Sequence, residues 1–325
     1  MPKWTEYTTK ETLADNDEVM LYDATGKANK RMKFSTIYSW FKSKFVIEQI
    51  NHNIPRTTPK DITTYYNDGS LWKRLNGTDG YSLFEDIFVG DYIKMSRPIS
   101  AKNPDSSLQL TGSQYVTIIG IDSLSGNGDN ISMQYHHLVM APGQGFGGTQ
   151  HFGRSRMNPT NTTEGGYVGS EMNKKVIGDV ATAGSTADGA TINQQLYAEF
   201  GSHLKTTREL LSNAINATGV NRFGTANGCS NNWAWTSAQA VLMSEIEVYG
   251  SIAWSSSGYD TGNANHQFEL FANSVPAINN RSARYWLKDV TSASYFCYCY
   301  LSGNSSYNGA SNADHYVRPR FVIAA

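Results

Sequence analysis

The sequence predicts an α+β fold from three observations. Several runs of β-branched and aromatic residues are short enough to be strands, two or three segments carry apolar residues at helical spacing, and long Gly-, Ser- and Asn-rich stretches separate them. No internal repeat of fixed period is apparent, which sets solenoids and propellers aside. At 325 residues the chain can hold one large core or two to three smaller domains.

Residues 1–50 read as a separate small unit. Glu18–Asp23 is a strand, Ala24-Thr25-Gly26-Lys27 supplies turn chemistry, and Lys30–Phe34 returns as a second, polar strand. Ser35 then caps a short helix with Ile37, Trp40, Phe41 and Phe45 at helical spacing. A unit this small holds no good core alone, so docking or oligomerisation is expected. Residues 51–80, with Pro55, Pro59 and the turn signals Asn67-Asp68-Gly69 and Asn76-Gly77, read as a linker or hairpin.

Residues 81–325 read as one ligand-display domain. Val89-Gly90-Asp91-Tyr92-Ile93 turns into a strand, Tyr115–Ile121 is a β-branched strand, Gly126–Asp129 is a hairpin-type turn, and Tyr135–Met140 returns. Ser170 caps a helical segment through Val176, and Ile192–Phe200 is a helix. Thr206-Thr207-Arg208-Glu209 reads as a capping box before a helix bearing Leu210, Leu211 and Ile215. Ala240–Met243 is a short buried strand, and Ser244-Glu245-Ile246-Glu247 is a second capping box. Tyr285–Leu287, Tyr295–Leu301 and Arg318–Ile323 are the last strands, and the final one is expected to be paired.

Charge and composition narrow the function. A net charge of -1 and a charged fraction of 17% supply no field for nucleic acid or an anionic membrane. The opening Met1-Pro2-Lys3-Trp4-Thr5-Glu6 shows no basic start before an apolar core, and no apolar run is long enough to span a bilayer. Synthesis in a cytoplasm, without membrane insertion, is therefore expected. Cys229, Cys297 and Cys299 form no framework and read as reduced core residues. The glycine-rich run Ala141–Gly148 lacks the lysine and helix of a phosphate loop. His136 and His137 are adjacent on a strand and point to opposite faces, and Glu245 and Glu247 suit a helix start. No catalytic residue, metal or cofactor is expected.

The informative stretch is Thr291–Tyr316. Tyr, Ser, Asn and Gly dominate it, without one Lys, Arg, Glu, Gln, Met or Trp. That mixture pairs stiff aromatic anchors with adaptable small polar groups, as paratopes do. Strand alternation is expected to turn Phe296, Tyr298 and Tyr300 outward and Cys297 and Cys299 to the core. The candidate ligand-binding residues are Tyr295, Tyr298, Tyr300, Leu301, Asn304, Ser306, Tyr307, Asn308, Asn312, Asp314, His315 and Tyr316. Trp286, Arg318 and Phe321 are assigned to the frame beneath.

Several motifs carry a resemblance. They are His136-His137-Leu138-Val139-Met140, Met157-Asn158 with Asn161-Thr162-Thr163-Glu164-Gly165-Gly166-Tyr167, and Leu242–Gly250. Arg284-Tyr285-Trp286-Leu287 and Val317-Arg318-Pro319-Arg320-Phe321 complete the set. Together they resemble phage and prophage tail proteins with a C-terminal C-type-lectin-like fold related to formylglycine-generating enzymes. Many such proteins are variable targets of diversity-generating retroelements. Leu13–Glu18 through Ser35 resembles the N-terminal attachment module of phage tail fibres. The resemblance implies a homotrimeric receptor-binding protein at the virion tail tip. Its partners would be a bacterial cell-surface protein or glycan and other tail or baseplate proteins. It also implies adenine-directed mutagenesis of AAC or AAT codons, which cannot yield Lys, Glu, Gln, Met or Trp; residues 291–316 contain none of them. The enzyme branch of the fold uses copper-binding cysteines, whereas Cys297 and Cys299 stand two apart inside the variable-looking stretch. The alternatives are an enzyme of that type and a purely structural tail or baseplate component.

Overall fold

The computed structural model describes residues 14, 17–38, 52–83, 86–102, 110–124, 136–216, 229–255, 267–273, 281 and 284–325. The chain is mixed α+β and divides into two units, residues 1–51 and 52–325. The expected turn at 126–129 and the residues Phe84, Tyr135, Trp40, Phe41 and Phe45 lie outside the described residues.

In the first unit, β1 (Glu18–Asp23) pairs antiparallel with β2 (Ala28–Lys33) from Glu18↔Lys33 to Asp23↔Ala28. Asp23 closes the turn by accepting the Thr25 and Gly26 N–H groups, each at 3.0 Å. The second strand starts two residues before Lys30, and residues 34–38 are helical. Met20, Leu21, Tyr22 and Met32 are all exposed on this hairpin.

The second unit is organised by an antiparallel sheet in the order β3 (Tyr92–Lys94), β4 (Tyr115–Ile121), β5 (His137–Pro142), β13 (Pro319–Ala324) and β6 (Leu204–Lys205). β5 and β13 are buried along their whole length, and β4 in all but its first residue. Both faces are therefore covered, which is why these strands read as continuous apolar runs rather than alternating ones. The C-terminal strand is paired as expected, with Phe321↔Met140 and Ile323↔Leu138 on one side and Val322↔Lys205 on the other. β9 (Val241–Leu242) also joins it, through Pro319↔Leu242.

Residues 51–80 are neither linker nor hairpin. They form α1 (Thr63–Asn67) and α2 (Ser70–Asn76), and Ile62, Leu71 and Leu75 are buried in the main core. The turn signals sit where expected but separate and end helices. Gly69 and Gly77 take left-handed φ of 76° and 63°. Leu71, Trp72 and Leu75, spaced for a helix, outweigh the prolines.

The helix expected after Thr206 is also corrected. Thr207–Asn216 is a strand, β7, paired antiparallel with β8 (Cys229–Ala238). Thr207, Glu209 and Leu211 point inward while Arg208 is exposed, a period of two. The Thr-x-x-Glu letters of a capping box are present, but Glu209 is engaged elsewhere. The other helices agree better. Ser170 Oγ accepts the Asn173 N–H at 3.1 Å, beside α3 (Gly166–Gly169) and before a π-helical turn, Met172–Ile177. α4 spans Ile192–Phe200, opened by a capping box between Thr191 and Gln194. α5 (Glu245–Tyr249) starts on the Ser244–Glu247 capping box, and α6 (Glu269–Ala272) follows it.

Arg320 of β13 explains where Glu209 is engaged. The guanidinium is fully buried, donates to both Glu209 oxygens at 2.8 Å, and donates through Nε to Glu247 Oε1 at 2.8 Å. Burial alone would raise the Glu209 carboxyl, but the Arg320 charge outweighs it and holds the group at about 2. Such a lowered carboxyl contributes stability that is complete above its ordinary value of 4.5 and lost as pH falls through about 2. Arg320→Met strands two buried carboxylates and is expected to cost about 3–5 kcal/mol, read as a fall in Tm by calorimetry. Within the pH 4.5 to 2 window, Glu209→Gln is expected to flatten the acid dependence of Tm relative to the parent chain.

Candidate functional site

The stretch singled out by composition folds onto a three-stranded sheet. β10 (Tyr285–Val290), β11 (Tyr295–Cys299) and β12 (Ser305–Gly309) pair antiparallel in that order. The register sets Trp286↔Tyr298, Cys297↔Tyr307 and Tyr295↔Gly309. Residues 157–163 clamp the sheet from behind. The Ala310 carbonyl accepts the Met157 and Asn158 N–H groups at 2.9 Å, and Thr163 Oγ1 donates to the Ser292 carbonyl at 2.7 Å. Asn161 Oδ1 accepts the Ser311 N–H at 3.0 Å.

Alternation along β11 does not divide core from solvent as expected. Cys297 and Cys299 are buried, but so are Phe296 and Tyr298 on the other face. The reason is a second aromatic layer. His315, also fully buried, stacks on Trp286 at 4.4 Å, and Tyr298 meets His315 edge-on at 4.2 Å. Trp286 Nε1 donates to the Ser155 carbonyl at 2.8 Å. Tyr298 and His315 are thus frame, joining Trp286, Arg318 and Phe321, which are buried as expected. Burial, helped by the charges of Arg284 and Arg154, pushes the His315 imidazole down to about 3.

What remains outside is narrower. Tyr295, Tyr300, Leu301, Asn304, Tyr307 and Asp314 are exposed, while Ser306, Asn308, Asn312 and Tyr316 are half-buried. Tyr295 and Tyr307 lie 5.5 Å apart, and Tyr307 lies 4.8 Å from Trp254, so three rings form a row. Tyr300 to Asn304 form the tip between β11 and β12, closed by the Tyr300 N–H on the Asn304 carbonyl at 2.8 Å. A cleft of about 460 Å³ opens beside the tip, lined by Tyr249, Ala253, Arg281 and residues 302–305. Asn312 braces its own loop, accepting the Asp314 N–H at 2.8 Å. Tyr316 is sandwiched between His151, stacked at 3.8 Å, and Arg154, whose Nη2 donates to its hydroxyl at 2.8 Å.

Sequence reasoning missed Trp254 and the residue that places it. Glu245 is buried, and its carboxylate accepts the N–H groups of Ala253, Trp254 and Ser255 at 2.9–3.1 Å and the Ser305 hydroxyl. Trp254 Nε1 in turn donates to the Ser305 carbonyl at 3.0 Å. The acid was legible only as a helix start, because its partners lie in a loop without pattern. Cys297 and Cys299 are held as neutral thiols. Burial pushes Cys299 up to about 11 and Cys297 well above the ordinary thiol range. Among the described residues no group of three or more His, Cys, Asp or Glu could hold a metal ion. His136 Nδ1 and the His137 N–H both meet Asp122, at 2.6 Å and 2.9 Å, and His137 is buried.

Comparisons with family models, with curated proteins and with solved structures return no match.

Two variants separate the frame from the loop it holds. Trp286→Ala removes the floor under His315 and Tyr298 and is expected to cost about 3–5 kcal/mol in a denaturant melt. Glu245→Ala leaves the 253–255 amides without their acceptor. Their hydrogen exchange is expected to accelerate strongly while that of Ile192–Phe200 is unchanged.

Proposed function

We propose that this chain is a phage or prophage tail receptor-binding protein. Its C-terminal unit would be a C-type-lectin-like domain that presents a diversified Tyr/Ser/Asn surface to a bacterial surface molecule. The observation that carries the reading is the row Tyr295–Tyr307–Trp254, two exposed tyrosines beside a half-buried tryptophan, on a sheet held by residues 157–163. Aromatic faces beside Ser and Asn donors recognise by stacking, edge contacts and hydrogen bonds, with no covalent chemistry.

The division of labour within residues 291–316 supports the same reading. Exposed positions such as Tyr295, Tyr300, Leu301, Asn304 and Tyr307 can vary without disturbing the layer beneath. That layer hangs on residues outside the stretch: Trp286, Ser155, Asn161 and Glu245. The raised thiols at Cys297 and Cys299 favour display over the copper-dependent enzyme alternative. The first unit would attach the protein to the tail tip and trimerise it. A two-stranded hairpin is marginal by itself, and the exposed Met20, Leu21 and Tyr22 would be covered in such an assembly.

Alanine at Tyr295 or Tyr307 is expected to change stability by no more than about 0.5 kcal/mol. The same variants are expected to weaken adhesion to susceptible bacteria by about 2 kcal/mol or more, roughly thirtyfold, in a cell-binding titration. A melting temperature that collapses with either variant makes the row core rather than surface. Light scattering is expected to give about three times the 35.9 kDa chain mass, and a monomer at micromolar concentration removes the trimer.

A further inference from the structure

The cleft beside the tip has two walls of different origin. One is Tyr249, the last residue of α5, with Ala253 and Arg281, and all three lie outside residues 291–316. The other is the tip between β11 and β12, residues 302–305, inside that stretch. The first wall is fixed from behind. Glu245 accepts the Ala253 N–H at 2.9 Å, Cys299 Sγ donates to the Arg281 carbonyl at 2.7 Å, and the Arg281 guanidinium carbon stands 5.4 Å from the Tyr249 ring centroid. The tip is braced as well, with the Gly303 N–H on the Tyr300 carbonyl at 2.8 Å. Gly303 takes a left-handed φ of 83°, and a Cβ there would stand 3.3 Å from Arg281 Cβ, so the glycine lets the tip close on Arg281.

The lining is polar, with Arg281 its one charge. Ser302 Oγ donates to Asn304 Oδ1, and Asn304 Nδ2 donates to the Ser305 carbonyl at 3.2 Å, which fixes the carboxamide. An amide nitrogen carries two hydrogens and a hydroxyl oxygen two lone pairs, so a donor on Asn304 and acceptors on Ser302 and Ser305 remain for a ligand. Tyr249 supplies the one ring. Among the described residues no carboxylate and no Val, Leu, Ile, Met or Phe lines the cleft. An apolar anchor of a protein partner would find little to cover it, whereas a ring that bears hydroxyls and one C–H face meets matching groups. Small-ligand sites span roughly 300–1,000 Å³, and this cleft falls at the size of one or two sugar rings. It also continues into the aromatic row. Trp254 follows Ala253, its Nε1 donates to the carbonyl of the cleft residue Ser305 at 3.0 Å, and Tyr307 lies 4.8 Å from its ring.

We propose that this cleft is a sugar subsite, which takes the terminal hexopyranose of a bacterial surface glycan while the next unit lies over Trp254 and Tyr307. The inference rests on the recognition reading and chooses its ligand class, a glycan rather than a protein. The wall of Tyr249, Ala253 and Arg281 stands outside the diversified stretch and holds what such ligands share, a pyranose ring. Residues 302–305 stand inside that stretch and select among hydroxyl arrangements. Both walls are in place before the ligand arrives, so little freedom is lost on binding.

The test measures adhesion of the full-length chain to susceptible bacteria. Untreated cells are compared with cells oxidised by mild periodate, which cleaves the vicinal diols of sugars, and with protease-treated cells. Adhesion is expected to weaken on the order of tenfold or more after periodate and to persist after protease. Loss after both treatments places the glycan on a protein carrier and supports the inference equally. Ser302→Trp and Asn304→Trp, at exposed tip positions, fill the cleft with an indole. Each is expected to weaken adhesion on the order of tenfold at unchanged Tm. Ser302→Gln, a smaller filling, replaces a Trp variant that fails to fold. The inference is overturned if periodate-treated cells bind like untreated ones, if adhesion is lost to protease but not to periodate, or if filling the cleft leaves adhesion unchanged. Loss with Tyr307→Ala but not with a filled cleft removes only the sugar subsite, whereas adhesion unchanged in both removes the recognition reading as well.

Discussion

The buried pairing of Arg320 with Glu209 and Glu247 is the constraint on which the second unit depends. A guanidinium fully removed from water, inside a strand covered on both faces, is costly unless its donors are met, and here two carboxylates meet them. Glu209 brings β7 to the central sheet, and Glu247 brings α5. α5 therefore has a fixed seat in the core before it contributes anything to the surface.

The same short helix transmits that order outward. Glu245 and Glu247 are two apart, so on a helix they project to opposite sides. Glu247 faces Arg320, while Glu245 gathers the 253–255 amides and the hydroxyl of Ser305. The Glu245 N–H also donates to Asp289 of β10 at 2.7 Å. The row Trp254–Tyr307–Tyr295 is thus held from the core through one turn of helix. A recognition surface gains from such rigidity, because side chains already in place lose little freedom on binding. Net charge gives no hint of the local field at this surface. A chain near neutrality as a whole still places Arg154 and Arg284 on the two segments that flank residues 315–316, and among the described residues no ion pair joins either to an acid.

Legibility varied with how local the causes were. Ile192–Phe200 and the Ser244–Glu247 capping box depend on residues within one or two turns, and they appear where the pattern puts them. Thr206–Glu209 carries the same kind of pattern and became a strand, because Glu209 answers to an arginine more than a hundred residues away. Residues 51–80 failed for a related reason. Their prolines and turn signals are local, whereas the core that buries Ile62, Leu71 and Leu75 is not.

From sequence alone came the α+β class, most of the strands, the frame residues Trp286, Arg318 and Phe321, and a tyrosine-rich surface stretch. All of these follow from period, composition and short-range capping, which act within a few residues. Only the tertiary structure decided which tyrosines face solvent. Tyr298 and Tyr307 belong to the same composition and to adjacent strands, yet one is buried and the other exposed. The difference is the layer of His315 on Trp286, a contact between residues 29 positions apart that covers one and leaves the other uncovered. Trp254 and Arg154 entered the site in the same way, through a buried carboxylate and through neighbouring extended segments. Strand alternation states which side a residue points to, but whether that side is covered depends on what else the chain brings to it.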